Sequence, residues 1–385
     1  MKRRVAVVGV GQTAFTRRCG VSIRELCFEA FKEALEDSEN LSTRDIDASI
    51  VCSAPEYDKQ RTPAGLITEY LGLNPKPTFL AEAICASSSV GARIAWSFIS
   101  SGLHRVVVVL GFQKMSELTS AESQERMLRG ADILWESPFG SMMPSCYAMF
   151  ARAHMHQYGT TEEQLAKVRV KSSKYGVMNA KAVFRKEVTV EDVLRSRAIT
   201  SPLKLFDCCA NADGASCVIL ADEDEAKKIT DTPVWITGLG LASASMSLTA
   251  RETVTSLSCA VVAAKQAYEM AHIKPEDIDV AEVHDCFTIA EIMAYEDLGF
   301  CERGGGGKLI DEEETYVGGR IPVNIDGGLL SKGHPIGATG GSQIRTITLQ
   351  LRGEAGPTQV NGAEVGLTHN IGGIGMYGSV MIFRR

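Results

Sequence analysis

Four segments from the first half of this chain reappear in the same order in the second. Arg4-Val-Ala-Val-Val-Gly-Val-Gly11 parallels Pro233-Val-Trp-Ile-Thr-Gly-Leu-Gly240, and Asp45-Ile-Asp-Ala-Ser-Ile-Val51 parallels Asp277-Ile-Asp-Val-Ala-Glu-Val283. Cys85-Ala-Ser-Ser-Ser-Val-Gly-Ala92 parallels His334-Pro-Ile-Gly-Ala-Thr-Gly-Gly341, each opening an apolar helical pattern. Asp213-Gly-Ala-Ser-Cys-Val-Ile-Leu220 parallels Tyr377-Gly-Ser-Val-Met-Ile-Phe383. One such match is within reach of chance, but four in register read as an internal duplication of α/β halves, each a mixed sheet covered by helices. A pseudo-twofold relating the halves brings the turns at Cys85 and His334 to equivalent places, their helix N-termini converging on one site.

At 385 residues the chain is long for a single core. The pattern divides it into residues 1–115 plus 201–230, an insertion at 116–200, and 231–385. The insertion is rich in Met, Arg, Lys and Ser and reads as mainly helical, with helices near Tyr147–Tyr158 and Glu162–Lys174. In the first half, Arg3–Val10, Ile46–Ser53, Pro77–Ile84 and Val106–Gly111 read as strands. Ser22-Ile-Arg-Glu25 is a capping box opening a helix to about Leu35. In the second half, Val234–Gly240, Ile278–Val283, Glu364–Thr368 and Tyr377–Phe383 read as strands. Helices are expected at Val254–His272, Thr288–Leu298 and within Gly333–Leu351, with Gly304–Gly307 a loop.

A net charge of −7 and the lack of a long basic run give no reason to expect nucleic-acid binding. No stretch has the length of a membrane span. The opening Met1–Gly11 has too short an apolar run for a signal peptide and reads as a first strand, so the expected location is cytoplasmic. The 11 cysteines include no Cys-x-x-Cys pair, which points to reduced thiols rather than a disulfide framework or a structural metal site.

Reactive groups stand where strands or loops meet helices. Cys85 sits at a strand end before a helix with Val90, Ile94 and Phe98 on one side; the positive helix end favours a thiolate there. In His284-Asp-Cys-Phe287, residues two apart share a face, so His284 and Cys286 point together and Asp285 points away. Gly333-His-Pro fixes His334 at a helix start. His369-Asn-Ile-Gly-Gly373 supplies backbone amides able to hold an oxyanion. Taken singly, each is more often a structural residue. Together they are a nucleophile, a base, a second thiol and two sets of donors, the equipment of covalent acyl transfer.

Cys85-Ala-Ser, His284-Asp-Cys-Phe, Gly333-His-Pro and Asn370-Ile-Gly-Gly, in this order, resemble the thiolase family in its sterol-carrier-protein-type and archaeal branch, over essentially the whole chain. The resemblance implies the thiolase fold: duplicated βαβαβαββ halves in five α-β-α-β-α layers, with an inserted loop domain. It implies Cys85 as the acylated nucleophile and His334 as its base. His284, with His334, forms one oxyanion hole, and the amides of Cys85 and Gly372 form the other. Many thiolases carry an acid/base cysteine where this chain has Asn370; the branch resembled uses the cysteine of His-Asp-Cys-Phe, here Cys286.

The implied reaction is reversible Claisen condensation, foremost of two acetyl-CoA to acetoacetyl-CoA, as in the mevalonate pathway. Coenzyme A thioesters are the substrates, and no cofactor is held permanently. Lys167-Val-Arg-Val-Lys-Ser-Ser-Lys174 is a candidate cover for CoA. The implied assembly is a homodimer or homotetramer. Implied partners are a small OB-fold, zinc-ribbon protein and hydroxymethylglutaryl-CoA synthase, and a stand-alone form is expected rather than one fused to a sterol-carrier domain. The alternatives are a degradative 3-oxoacyl-CoA thiolase, an acyl-CoA side-chain aldolase and a non-catalytic lipid-binding scaffold. A dinucleotide site at Gly9-Val-Gly-Gln-Thr-Ala14 is disfavoured, because the helix cap lies at Ser22; the repeat at Gly238-Leu-Gly240 reads as a strand-end turn.

Overall fold

The computed structural model describes residues 3–385, so Met1 and Lys2 of the opening run lie outside the described residues. The first half runs β1 (Val5–Gln12), α1 (Ile23–Asp37), β2 (Ala48–Cys52), α2 (Pro63–Tyr70), β3 (Thr78–Ala81), α3 (Ser87–Ser100) and β4 (Val106–Lys114). The insertion follows with α4 (Ser120–Leu128), α5 (Met143–Tyr158), α6 (Glu162–Met178), α7 (Val190–Arg195) and the small hairpin β5 (Ala198–Thr200) and β6 (Leu203–Lys204). The first half then closes with β7 (Asp213–Asp222) and α8 (Glu223–Ile229). The second half is β8 (Val234–Ser243), α9 (Ser258–Ala271), β9 (Val280–Glu282), α10 (Thr288–Asp297), α11 (Gly306–Asp311), α12 (Thr339–Arg352), β10 (Val365–Gly372) and β11 (Tyr377–Arg384). The capping box at Ser22 is formed in both directions and starts α1. Gly306 and Gly307, read as loop, instead open the short helix α11.

One nine-stranded sheet runs through the molecule in the order β3-β2-β4-β7-β1-β8-β11-β10-β9. The duplication is visible in its pairing. In the first half β2 lies parallel to β3 and β4, while β7 is antiparallel to β4 and to β1. In the second half β10 is parallel to β9, while β11 is antiparallel to β10 and to β8. Thus β8, β9, β10 and β11 repeat β1, β2, β4 and β7. The counterpart of β3 has shrunk to a single parallel bridge, Ala281 to Val323, so the second half lacks the full fifth strand that the symmetric reading implied. The halves join where β1 meets β8, over two residue pairs.

Alternating side chains give that sheet two buried faces, because helices cover both. Val5, Val7 and Val10 of β1 join one core with Ala92, Ala95, Trp96 and Ile99 of α3 and Ile344, Ile347 and Leu351 of α12. Ala6 and Val8 point the other way, against Leu26, Ala30, Phe31 and Ala34 of α1. The outer face of the second half packs Leu367, Val380 and Ile382 against Ala263 and Ala267 of α9. The layers are therefore outer helices, half-sheet, the α3/α12 pair, half-sheet and outer helices. The deepest side of α3 is the Ala92–Ala95–Ile99 side; Val90, Ile94 and Phe98 are only partly buried, because small residues let this central helix approach the strands.

The paired glycines have a packing role. A Cβ on Gly11 would lie 2.1 Å from the Ala30 carbonyl oxygen of α1, and one on Gly240 would lie 1.7 Å from the Ala263 carbonyl oxygen of α9. Both lie within strands rather than in turns, and they admit an outer helix at equivalent positions of the two halves. The structure thus agrees that Gly9-Val-Gly11 is not a phosphate loop. Among the described residues no helix is long and apolar enough to cross a membrane, and none of the cysteines is in a disulfide.

Candidate active site

The turns preceding the two central helices are built alike. Cys85 lies not at the end of β3 but inside a single 3₁₀ turn, Ile84–Ala86, and His334 lies two residues before the matching turn Ile336–Ala338, separated from it by Pro335. Ile84 has φ +53°, a left-handed conformation costly for a β-branched residue. It is held by the Glu82 carboxylate, which accepts from its N–H at 2.6 Å, and by Ser87 Oγ, which donates to its carbonyl at 2.6 Å. On the other side Gly333, at φ +107°, turns the chain into His334 in a conformation that favours glycine. The two helix starts touch: Gly341 N–H donates to Ser88 Oγ at 2.9 Å. Their convergence places Cys85 Sγ 3.2 Å from His334 Nε2.

The third segment is the loop between β9 and α10. Asp285 points away from the site, as the alternation predicts, and its carboxylate accepts from Leu329 N–H at 2.7 Å and Leu330 N–H at 3.3 Å. Those amides belong to the turn Gly328–Lys332 that leads to His334, so one buried carboxylate ties two reactive segments together. A Cβ on Gly328 would lie 2.2 Å from that carboxylate, which accounts for glycine there. Cys85 Sγ and one ring nitrogen each of His284 and His334 lie within 4.8 Å of one another. Cys286 lines the same cavity.

Hydrogen bonds decide which nitrogen of each histidine carries a proton. Thr339 Oγ1 donates to the Pro335 carbonyl at 3.0 Å, so it accepts from His334 Nδ1 at 2.7 Å. Neutral His334 therefore turns a lone pair at Nε2 toward the Cys85 thiol. Ser89 Oγ donates to Asn370 Oδ1 at 3.1 Å, which orients the Asn370 amide to donate to His284 Nδ1 at 3.0 Å. His284 thus carries its proton on Nε2, a buried atom with no protein partner among the described residues. His334 is thus able to accept a proton at Nε2, and His284 to donate one from its Nε2. The Cys–His–His trio has the composition of a soft-metal site, but His284 presents N–H there, with no lone pair for a metal.

Burial sets the charge state. The Cys85 thiol is partly open to the cavity yet surrounded by protein, and its pKa is pushed up to about 12; the Gly373 amide offsets this in part, and Glu56 adds to it. This corrects the expectation of a resting thiolate, since desolvation outweighs the helix end. Burial likewise lowers His334 to about 4. His284 lies well below its ordinary value, through burial and then the neighbouring His334 and His369. Cys286 is raised well above the ordinary thiol range, chiefly by burial. The resting site holds neutral groups throughout.

The cavity, about 140 Å³, is walled by Tyr57, Met127, Met143, Tyr147, Phe287 and Ile336. A cavity of roughly 150 Å³ takes a benzene-sized group. Gly373 lines it, with its N–H on the Cys85 sulfur. Gly372 ends β10 against the Cys85 segment, where a Cβ would lie 2.4 Å from the Ala83 carbonyl oxygen.

Three of the four cations in the Lys167–Lys174 segment have partners within the protein, and Lys174 is exposed. Lys167 pairs with Asp311 at 2.7 Å, and buried Arg169 donates to Ser331 Oγ at 3.1 Å. Fully buried Lys171 bonds Glu291 at 2.5 Å and the Val323 carbonyl at 2.9 Å. The motif readings had not assigned Thr339, Tyr147 or the orienting role of Asn370. Asn370 stands at the position of the missing cysteine and Thr339 within the turn motif of His334, whereas Tyr147 of α5 is brought in by long-range packing.

Comparison with known proteins agrees over the full length. Residues 5–224 match the thiolase N-terminal domain, and residues 240–385 match the thiolase C-terminal domain-like family. The chain is 44% identical over 385 residues to an acetyl-CoA acetyltransferase of Methanothermobacter thermautotrophicus, covering 100% of both. Among solved structures, the Ltp2-ChsH2(DUF35) aldolase is similar with a TM-score of 0.87 and 26% identity, over 100% of this chain and 98% of that one. Human mitochondrial 3-ketoacyl-CoA thiolase shares the fold at a TM-score of 0.77 and 18% identity, over 99% of this chain and 98% of that one. The chain belongs to the thiolase family.

Proposed function

We propose that this protein is an acyltransferase that makes and breaks 3-oxoacyl-CoA through an acyl-enzyme on Cys85, with acetyl-CoA condensing to acetoacetyl-CoA as its foremost reaction. The observation that carries this is the neutral Cys85–His334 pair at 3.2 Å, facing the N–H of His284. Proton balance then orders the steps. His334 Nε2 takes the Cys85 proton as the sulfur attacks the thioester carbonyl. To hold an enolate oxygen next, His334 must keep that proton, so the departing CoA sulfur is protonated by Cys286. The resulting Cys286 thiolate removes an α-proton from the second acyl-CoA. The enolate oxygen sits between imidazolium His334 and the His284 N–H, in a site with little water. Its carbon attacks the acyl carbonyl, whose oxygen is received by the amides of Cys85 and Gly372. Cys85 leaves as thiolate and recovers its proton from His334. Thiolysis is the reverse.

This reading divides the chain at 1–115 with 201–230, 116–200 and 231–385, the halves supplying the reactive turns and the insertion a cavity wall. It makes coenzyme A thioesters the substrates with no resident cofactor, and places a homo-oligomer in the cytoplasm on the mevalonate route. Hydroxymethylglutaryl-CoA synthase and a small OB-fold, zinc-ribbon protein are the proposed partners; the two-component name of the aldolase neighbour supports an accessory protein. That same similarity favours acyl-CoA side-chain cleavage as the second reading.

Cys286→Ala separates the two halves of the reaction. CoA is a good enough leaving group to depart unprotonated, so this variant should still take an acetyl group from acetyl-CoA on Cys85, while condensation falls by roughly 10²- to 10⁴-fold. Full condensation activity in Cys286→Ala would remove Cys286 from the acid/base role.

A further inference from the structure

Tyr147 belongs to α5 of the insertion, yet it reaches the centre of the site. Its ring stacks on Phe287, the residue after Cys286, with centroids 4.5 Å apart and planes at 24°. Its hydroxyl donates to the Gly373 carbonyl at 3.3 Å, and the Gly373 N–H faces the Cys85 sulfur. The same hydroxyl is within hydrogen-bonding reach of the Cys286 sulfur. One O–H can donate to only one of these at a time.

The two arrangements fit two states of the site. With Cys286 as thiol, its S–H points to the phenol oxygen while the phenol donates to Gly373. Once Cys286 has given up its proton, the phenol oxygen is left beside a thiolate with nothing donating to it. A turn about the C–O bond moves the phenol proton from the Gly373 carbonyl to that sulfur. We propose that Tyr147 is a positioning residue for Cys286, a rotating donor that stabilises its thiolate between the release of CoA and the removal of the α-proton. No net proton is gained or lost: the phenol stays protonated, and only the direction of its O–H changes. Burial, with Cys286 next, raises Tyr147 well above its ordinary value, which keeps that proton in place. The inference rests on Cys286 as the α-proton base.

The test is Tyr147→Phe, which keeps the ring and its stack and removes only the hydroxyl. Three rates are measured in wild type, Tyr147→Phe, Cys286→Ala and the double variant: acetylation of Cys85, exchange of the α-protons of acetyl-CoA with D₂O, and condensation. A charge-assisted hydrogen bond to a thiolate corresponds to roughly 10- to 100-fold. Tyr147→Phe should slow exchange and condensation by that factor, leave acetylation within about 2-fold, and shift the pH profile of exchange toward higher pH. Adding it to Cys286→Ala should change nothing further. An unchanged exchange rate and pH profile, an equal loss of acetylation, or an added loss in the Cys286→Ala background would each overturn the proposal. Full exchange in Cys286→Ala alone would instead remove the base assignment on which it stands.

Discussion

The chemistry of the site turns on neutral side chains whose proton positions are set by single hydrogen bonds. Thr339 gives His334 its lone pair toward Cys85, and Asn370 gives His284 its N–H toward the same space. A site poised in this way needs no thiolate at rest. With the Cys85 thiol pushed up to about 12 and His334 lowered to about 4, both groups keep one protonation state across the neutral range. With His334 as the proposed base, protonating it stops acetylation, so activity is lost only as pH falls through its depressed value. The acetylation rate of Cys85 should therefore be flat from about pH 6 to 9, with an acid limb well below the ordinary histidine value of about 6.5. Rapid-quench measurement of CoA release across pH checks this. A limb near pH 8, typical of a free thiol ionising, would contradict the neutral pair.

At the scale of elements, the reactive residues are held by buried polar and basic groups on neighbouring segments. Asp285 joins the His284–Phe287 loop to the Gly328–Lys332 turn, and Arg169 of α6 braces that turn through Leu330 and Ser331. Two residues along, Lys171 fastens α6 to α10 through Glu291 and Tyr295. Breaking a buried pair by removing one partner leaves an uncompensated charge and costs about 3–5 kcal/mol. Lys171→Met should lower unfolding stability by that amount in urea denaturation followed by circular dichroism, whereas exposed Lys174 changed to Met should cost under about 1 kcal/mol. Equal, small effects would show that α6 is not a brace. Lys167 and Lys171 meet Asp311 and Glu291, carboxylates over a hundred positions away, a pairing that spacing along the sequence does not show.

For the whole molecule, the duplication was the most legible feature because it rests on buried strands and helix-opening turns, whose residue types are dictated by packing. It placed Cys85 and His334 at equivalent turns, and the structure brings them into contact. The shrunken fifth strand of the second half was not legible, since a lone bridge at Val323 leaves no alternating pattern. Nor was the left-handed Ile84, because no local signal distinguishes it from the end of β3. Tyr147 reaches the cavity only because the insertion folds back over the junction of the halves. At this junction Cys85 is proposed to act as an acyl carrier. The direct measurement is mass spectrometry of the protein after mixing with acetyl-CoA, with the released CoA counted by a thiol reagent. One acetyl group on the peptide bearing Cys85, matched by one CoA released and absent from Cys85→Ala, is the expected result. Active protein that gains no acetyl group, or gains it on another residue, would contradict the account.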